Sequence, residues 1–178
     1  MRPLYFAYGS NMDEGEIRDH CPSCRYLGTA CLEGHRLAFT RRSIRSGTGV
    51  ADVLPAPGHE VWGALYEIDD KDLDALDSKE GRGWAYAREQ KRVRLSTDGS
   101  EHDAIIYTVV LKEPAEVPPS RNYLIRLIAA AERRALPETY VAALEQTASS
   151  ATKLAQAGPG RSDREATADG GPARSSSG

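Results

Sequence analysis

Two short stretches hold the residue types from which a reaction could be built. In "LYFAYGSNM", residues 4–12, an apolar run stops on Gly9, Ser10 and Asn11. Glycine lets the backbone approach a ligand closely, and successive N–H groups at a strand-to-helix junction form a positively polarised cradle. Such a cradle holds a carboxylate, a phosphate or a developing oxyanion, and the sequence predicts it over Gly9 to Met12. A glycine turn leading into an ordinary capped helix explains the same residues without a ligand. In "LDSKEGRGWAY", residues 76–86, Glu80 ends a helix just ahead of two glycines and two aromatic residues. Burial there would raise its pKa above the free value of about 4.3 and make it a useful base. The alternative is a solvated helix end, although a glutamate sits badly against the negative end of a helix dipole.

Other patterns offer less. Cys21, Cys24, Cys31 and His35 form C-x2-C-x6-C-x3-H, close to zinc-ligand spacing, but the last gap is short and two of the four lie on a strand or its turn. Buried free cysteines explain them as well, and no metal or cofactor is expected. "TRRSIRSGTG", residues 40–49, is a basic loop that either helps hold a substrate carboxylate or is a solvated charged face. No G-x-S-x-G elbow, P-loop, G-x-G-x-x-G or H-E-x-x-H is present, and His20, His35, His59 and His102 show no partner pattern.

The elements that must position these residues are mostly strands. Leu4–Tyr8 reads as a buried strand, and "NMDEGEIRDHC" as a short helix with Asn11 as N-cap, ended by Pro22. "RYLGTACLEGHRLAFT" reads as two strands around a turn or bulge at Gly34. "VADVLP" and "EVWGALYEI" read as two more, separated by the turn "APGH". "DDKDLDALDSKEGRG" is a helix capped by Asp69 or Asp70, with Leu73 and Leu76 inward and Gly81 closing it. Strands "YAREQKRVRLS" and "DAIIYTVVL" flank the turn "TDGSE". Ser120 opens a helix with Leu124, Leu127, Ile128 and Ala131 at helical spacing, and Pro137 starts another with Tyr140, Val141 and Leu144 on its apolar side. Short-turned consecutive strands predict a mainly antiparallel sheet or barrel covered by helices on one side, an α+β domain.

Bulk properties narrow the class. The 178 residues, 40% hydrophobic, suit one domain, and no run approaches the roughly 18 apolar residues of a membrane span. A net charge of −3 gives no reason to expect nucleic acid. Three cysteines without an export signal point to reduced thiols in a cytoplasm. From Ser149 to Gly178 there is no aromatic and, among Val, Ile, Leu and Met, only Leu154. The expected division is therefore a folded domain over 1–147 and a disordered tail over 148–178.

Together, "FAYGSNM" (6–12), "EVWGALYEI" (60–68), "LDALDSKEG" (73–81), "PPSRNYL" (118–124) and "ALPETYVAAL" (135–144) resemble the γ-glutamylcyclotransferase-like family, in the family's order, over about residues 3–145. The resemblance implies a mixed β-barrel flanked by helices, a pocket at one barrel mouth, and neither metal nor organic cofactor. It implies Glu80 as the catalytic glutamate. Tyr8, Gly9, Ser10, Asn11 and Met12 match the substrate-holding loop, and Tyr86 and Tyr123 match tyrosines at the ligand. The expected partner is a small γ-glutamyl compound, cyclised to 5-oxoproline with release of its amine. A specialised member that removes a γ-glutamyl protecting group, or a binding protein on the same fold, is the alternative. Oligomeric state is left open between monomer and homodimer.

Overall fold

The computed structural model describes the backbone of residues 2–157 and the side chains of residues 2–151. Five strands close into a barrel in the order β1-β3-β2-β4-β5. They are β1 (Leu4–Ala7), β2 (Arg25–Arg42), β3 (Gly49–Glu67), β4 (Tyr86–Leu95) and β5 (Glu101–Val109). Every pairing is antiparallel except the closing one, where Tyr5 of β1 lies parallel to Ile105 of β5. The helices are α1 (Glu14–Arg18), α2 (Asp70–Glu80), α3 (Arg121–Arg133) and α4 (Glu138–Ala157). The mixed, mainly antiparallel barrel with flanking helices is the expected α+β architecture.

Strand alternation sorts the core into two layers. Phe6, Leu32, Val61, Leu65, Val93 and Ile106 fill the barrel interior. Their neighbours Tyr5, Ala7, Ala64 and Tyr66 face outward, where Leu73 and Leu76 of α2 and Leu124 and Leu127 of α3 cover them. At about 25 cal/mol per Å² of apolar surface, these two layers supply the main driving force for closing the barrel.

Three local expectations change. Asn11 does not cap a helix: it lies in a 3-10 turn, Ser10–Met12, and Asp13 caps α1 by accepting from Gly15 and Glu16 N–H at 2.9 and 3.2 Å. The acidic side chain two residues on is the one free to cap, because Asn11 is buried and bonded elsewhere. The two strands expected on either side of "APGH" are one long strand. Pairing passes from Glu33↔Glu60 to His35↔Pro55, so residues 56–59 swing out of the ladder opposite Gly34 without ending β3. The boundary at 147 falls inside α4, which continues to Ala157, and Ala148 and Ala151 pack on the core. Alanine and serine sustain a helix packed on the core even where composition is too polar to build a core of its own. The rest of the expected tail, 158–178, lies outside the described residues.

At the rim where β1, β2 and β5 end and β3 and β4 begin, two anchors hold the architecture. Asp52 of β3 is fully buried and accepts from Thr40 Oγ1 at 2.6 Å, Val109 N–H at 3.0 Å and Lys112 Nζ at 2.5 Å, tying three strands together. Ser120 caps α3 by accepting from Tyr123 N–H at 3.1 Å, which sets the first turn of that helix, and with it Tyr123, against the rim.

Candidate active site

Helix α2 delivers Glu80 as its last residue. Gly81 takes the left-handed conformation, with φ 63°, and the chain closes with Gly81 N–H on Ser78 O and Arg82 N–H on Asp77 O. A side chain on residue 81 would be strained there, and its Cβ would also lie 2.6 Å from the Trp84 ring. Asp77, one turn earlier, accepts from Tyr107 Oη at 2.7 Å, Arg82 at 2.8 Å and Arg88 at 3.0 Å. These bonds lock the helix end onto β4 and β5.

Opposite Glu80 stands the Gly9–Asn11 turn. Met12 N–H donates back to Gly9 O at 3.0 Å, so Met12 does not belong to the expected run of free donors. Its side chain is buried in the core, and its carbonyl accepts from Arg134 Nε at 3.0 Å and Tyr66 Oη at 3.2 Å, which pins the turn from behind. For the N–H groups of Gly9, Ser10 and Asn11, no partner is found among the described residues. The cradle is therefore three donors on a 3-10 turn, not four at a helix N-terminus.

Asn11 links the two parts. Its Nδ2 donates to Glu80 Oε1 at 3.1 Å and to Tyr5 Oη at 2.8 Å, and its Oδ1 accepts from Lys79 Nζ. Lysine has no acceptor and a carboxylate no donor, so this arrangement admits one orientation of the amide. Burial pushes the Glu80 carboxyl above its ordinary value of 4.5, against the opposing pull of Lys79, the Asn11 hydrogen bond and His20. Tyr5 and Tyr8 are pushed well up by burial, with Glu80 adding to both, so each remains a protonated phenol.

These groups line one cavity of about 390 Å³, within the range of small-molecule sites. Tyr8, Gly9, Ser10, Asn11, Glu80, Tyr86 and Tyr123 all face it; of the residues expected at the site, Met12 alone does not. The two rim tyrosines grip one residue of β3 on both of its backbone polar groups: Tyr86 Oη donates to Ala51 O at 3.2 Å, and Ala51 N–H donates to Tyr123 Oη at 3.3 Å. Tyr86→Phe and Tyr123→Phe should each change KM or kcat about three- to tenfold, the worth of one hydrogen bond. Steady-state kinetics unchanged in both variants would place these hydroxyls outside the binding site.

Sequence reasoning missed Tyr5, Tyr107, Lys79 and Arg41 as individual lining residues. Tyrosines in strands look like β-formers, and only the barrel closure brings Tyr5 and Tyr107 edge to face at 5.9 Å. Lys79 had a signal, its adjacency to Glu80. The basic loop over 40–49 was legible as a loop, and the structure sets Arg41, Ser43, Ile44 and Arg45 at the cavity. The cysteines go elsewhere. All three are buried, and among the described residues no group of three or more His, Cys, Asp or Glu is placed to hold a metal ion. Burial pushes the Cys21 and Cys31 thiols up to about 12, which disfavours the nucleophilic thiolate that thiol–disulfide chemistry requires. No helix among the described residues is long and apolar enough to cross a membrane.

Fold and site thus define a small closed barrel with a half-buried acid facing a donor-lined cavity at its mouth. A sequence profile of the AIG2-like family matches residues 60–144. The γ-glutamylcyclotransferase of Mus musculus is 32% identical over 143 residues, covering 77% of this chain and 74% of the mouse protein. The Homo sapiens γ-glutamylcyclotransferase is 30% identical over 142 residues, with the same coverage. A solved structure described as γ-glutamyl cyclotransferase has a TM-score of 0.76 at 29% identity, covering 82% of this chain and 87% of its own. The chain belongs to the γ-glutamylcyclotransferase-like, or AIG2-like, family.

Proposed function

We propose that the protein cyclises a γ-glutamyl amide to 5-oxoproline and releases the amine, with Glu80 as general base and then general acid. The observation that carries this reading is the pairing of a half-buried carboxyl, its pKa raised by burial, with three N–H groups that have no partner among the described residues, across one cavity. The substrate's α-amine has a pKa of about 8 and is largely protonated at neutral pH, so it needs a base before it can attack. Glu80 takes that proton, the amine nitrogen bonds to the γ-carbonyl carbon, and negative charge moves onto the carbonyl oxygen. Donors of the Gly9–Asn11 turn are suited to that oxygen, each worth about 10²–10³ in turnover. Collapse breaks the bond to the amide nitrogen: Glu80 returns its proton there, and the second proton of the ring nitrogen passes through solvent to the departing amine, leaving a neutral lactam and an ammonium. Base and acid are one residue because both nitrogens flank the same carbon. Holding the open chain curled adds an orientation gain. Three buried free thiols fit a reducing compartment such as the cytoplasm.

The pH dependence follows from burial. Below its raised pKa, Glu80 is protonated and cannot accept from the ammonium. The acid limb of kcat/KM should therefore lie above 4.5, with activity lost as pH falls through it. Lys79→Met removes the cation that opposes the burial effect, so the limb should move to higher pH. A limb that stays in place would show that Lys79 does not act on Glu80. The function itself is tested by incubating the purified protein with γ-glutamyl dipeptides and amines and assaying 5-oxoproline. Its absence with every compound would overturn the reading.

A further inference from the structure

The cavity has two unlike ends. Tyr5, Tyr8 and Asn11 are buried at the floor beside Glu80, whereas Trp84 is 58% and Ile44 81% exposed at the rim. A glutamyl head cyclising at Glu80 occupies the floor, so the part of the substrate beyond the scissile amide runs out across the rim. There the Arg41 guanidinium lies over the Trp84 ring, 5.1 Å from its centroid. Arg41 is half-buried, yet no hydrogen bond or ion pair to its side chain is found among the described residues. By contrast, Arg82 and Arg88 nearby are both tied to Asp77. Arg45, also at the cavity, likewise has no carboxylate partner among the described residues.

The charge balance of the cavity points the same way. Arg41, Arg45 and Lys79 line it against the single carboxylate of Glu80. A γ-glutamyl head brings one ammonium and one carboxylate and is neutral overall, so it leaves that surplus of positive charge unmatched. We infer that Arg41 and Trp84, with Ile44 and Arg45 on the β2–β3 turn, form the leaving-group subsite and select an amine that carries both a carboxylate and an apolar or aromatic side chain. The guanidinium takes the carboxylate, with Arg45 adding to the field. The indole, exposed at the rim beside the guanidinium, offers apolar surface for the side chain. The class is thus γ-glutamyl derivatives of hydrophobic amino acids over those of simple amines. This rests on the cyclisation reading above.

Three compounds separate the contributions: γ-glutamylphenylalanine, γ-glutamylphenethylamine, which keeps the ring without the carboxylate, and γ-glutamylglycine, which keeps the carboxylate without the ring. The wild type should favour the first over the second by at least about tenfold in kcat/KM, and Arg41→Gln should bring that ratio within about twofold. Trp84→Leu should reduce the preference for the first over the third severalfold. Ratios within one variant cancel any loss of folded protein. Equal use of the three compounds by the wild type, or an Arg41→Gln ratio unchanged from it, would overturn the subsite. Calorimetric binding of the same compounds to Glu80→Gln distinguishes the two readings. Selective binding without wild-type turnover keeps the subsite and removes the cyclisation; turnover without selectivity removes the subsite alone. Neither binding nor turnover removes both.

Discussion

Glu80→Gln should lose 5-oxoproline formation by at least about a hundredfold while gaining stability at neutral pH. The first effect follows because glutamine cannot accept a proton from the ammonium, and positioned proton transfer is worth roughly 10²–10⁴. The shape of the site survives: a glutamine Oε1 still accepts from Asn11 Nδ2, the bond that Glu80 makes at 3.1 Å. The second effect follows from linkage. Burial raises the folded-state pKa of Glu80 above its unfolded value, so the folded protein binds the proton more tightly. Stability from this group is fully present below the unfolded pKa of about 4.3 and is lost as pH rises through the folded one. At pH 7 the wild type bears that loss and the glutamine variant does not. Thermal melts should show Glu80→Gln above the wild type at pH 7, with the gap closing toward pH 4. A variant with near wild-type turnover, or one less stable at pH 7 than at pH 4 relative to wild type, contradicts a catalytic carboxyl whose pKa is raised by burial.

The second large effect is structural. Gly63→Ala should cost at least about 3 kcal/mol and leave little folded protein, because over-packing at a rigid buried site has no cheap relief. A Cβ on residue 63 would lie 2.2 Å from the Ala7 carbonyl oxygen and 2.9 Å from the Phe6 ring. The first neighbour is backbone, one strand away, in the ladder that pairs Ala7 with Ala64. Relief would require β1 to move from β3, and β1 leads directly into the Gly9–Asn11 turn. Any folded remainder should therefore also have weakened substrate binding. A denaturant midpoint equal to the wild type would refute the close approach of the two strands.

That glycine illustrates what the chain reveals on inspection and what it withholds. "EVWGALYEI" is plainly a strand, but nothing in its alternation says that Gly63 is there to let β1 pass; that contact exists only across 56 positions of sequence. The strands were legible because their signals are local, and short turns mark the β2–β3 and β4–β5 pairs; the pairing of β1 with β3 and β5 has no such local signal. Glu80 and the Gly9–Asn11 turn were legible because each is punctuated by glycine. Asn11 shows the limit. As a residue after Gly-Ser it has the chemistry of a cap, and local preference assigns it to the helix. Burial beside Glu80 and Lys79 claims the same amide for the site, and Asp13 takes over the cap. Met12 fails for a similar reason: the 3-10 turn consumes its N–H, and Arg134, far along the chain, captures its carbonyl. The helical stretch beyond residue 147 was hidden because composition registers what a segment can bury by itself, whereas α4 packs on a core that other elements supply.

The central claim is that Glu80 meets the glutamyl head inside the cavity. A crystal structure of Glu80→Gln bound to a γ-glutamyl dipeptide tests it most directly. The account predicts the substrate's α-nitrogen within about 3.2 Å of the residue 80 side chain, and its γ-carbonyl oxygen at a similar distance from an N–H of Gly9, Ser10 or Asn11. A glutamyl head seated elsewhere, with residue 80 turned to bulk water, would contradict it.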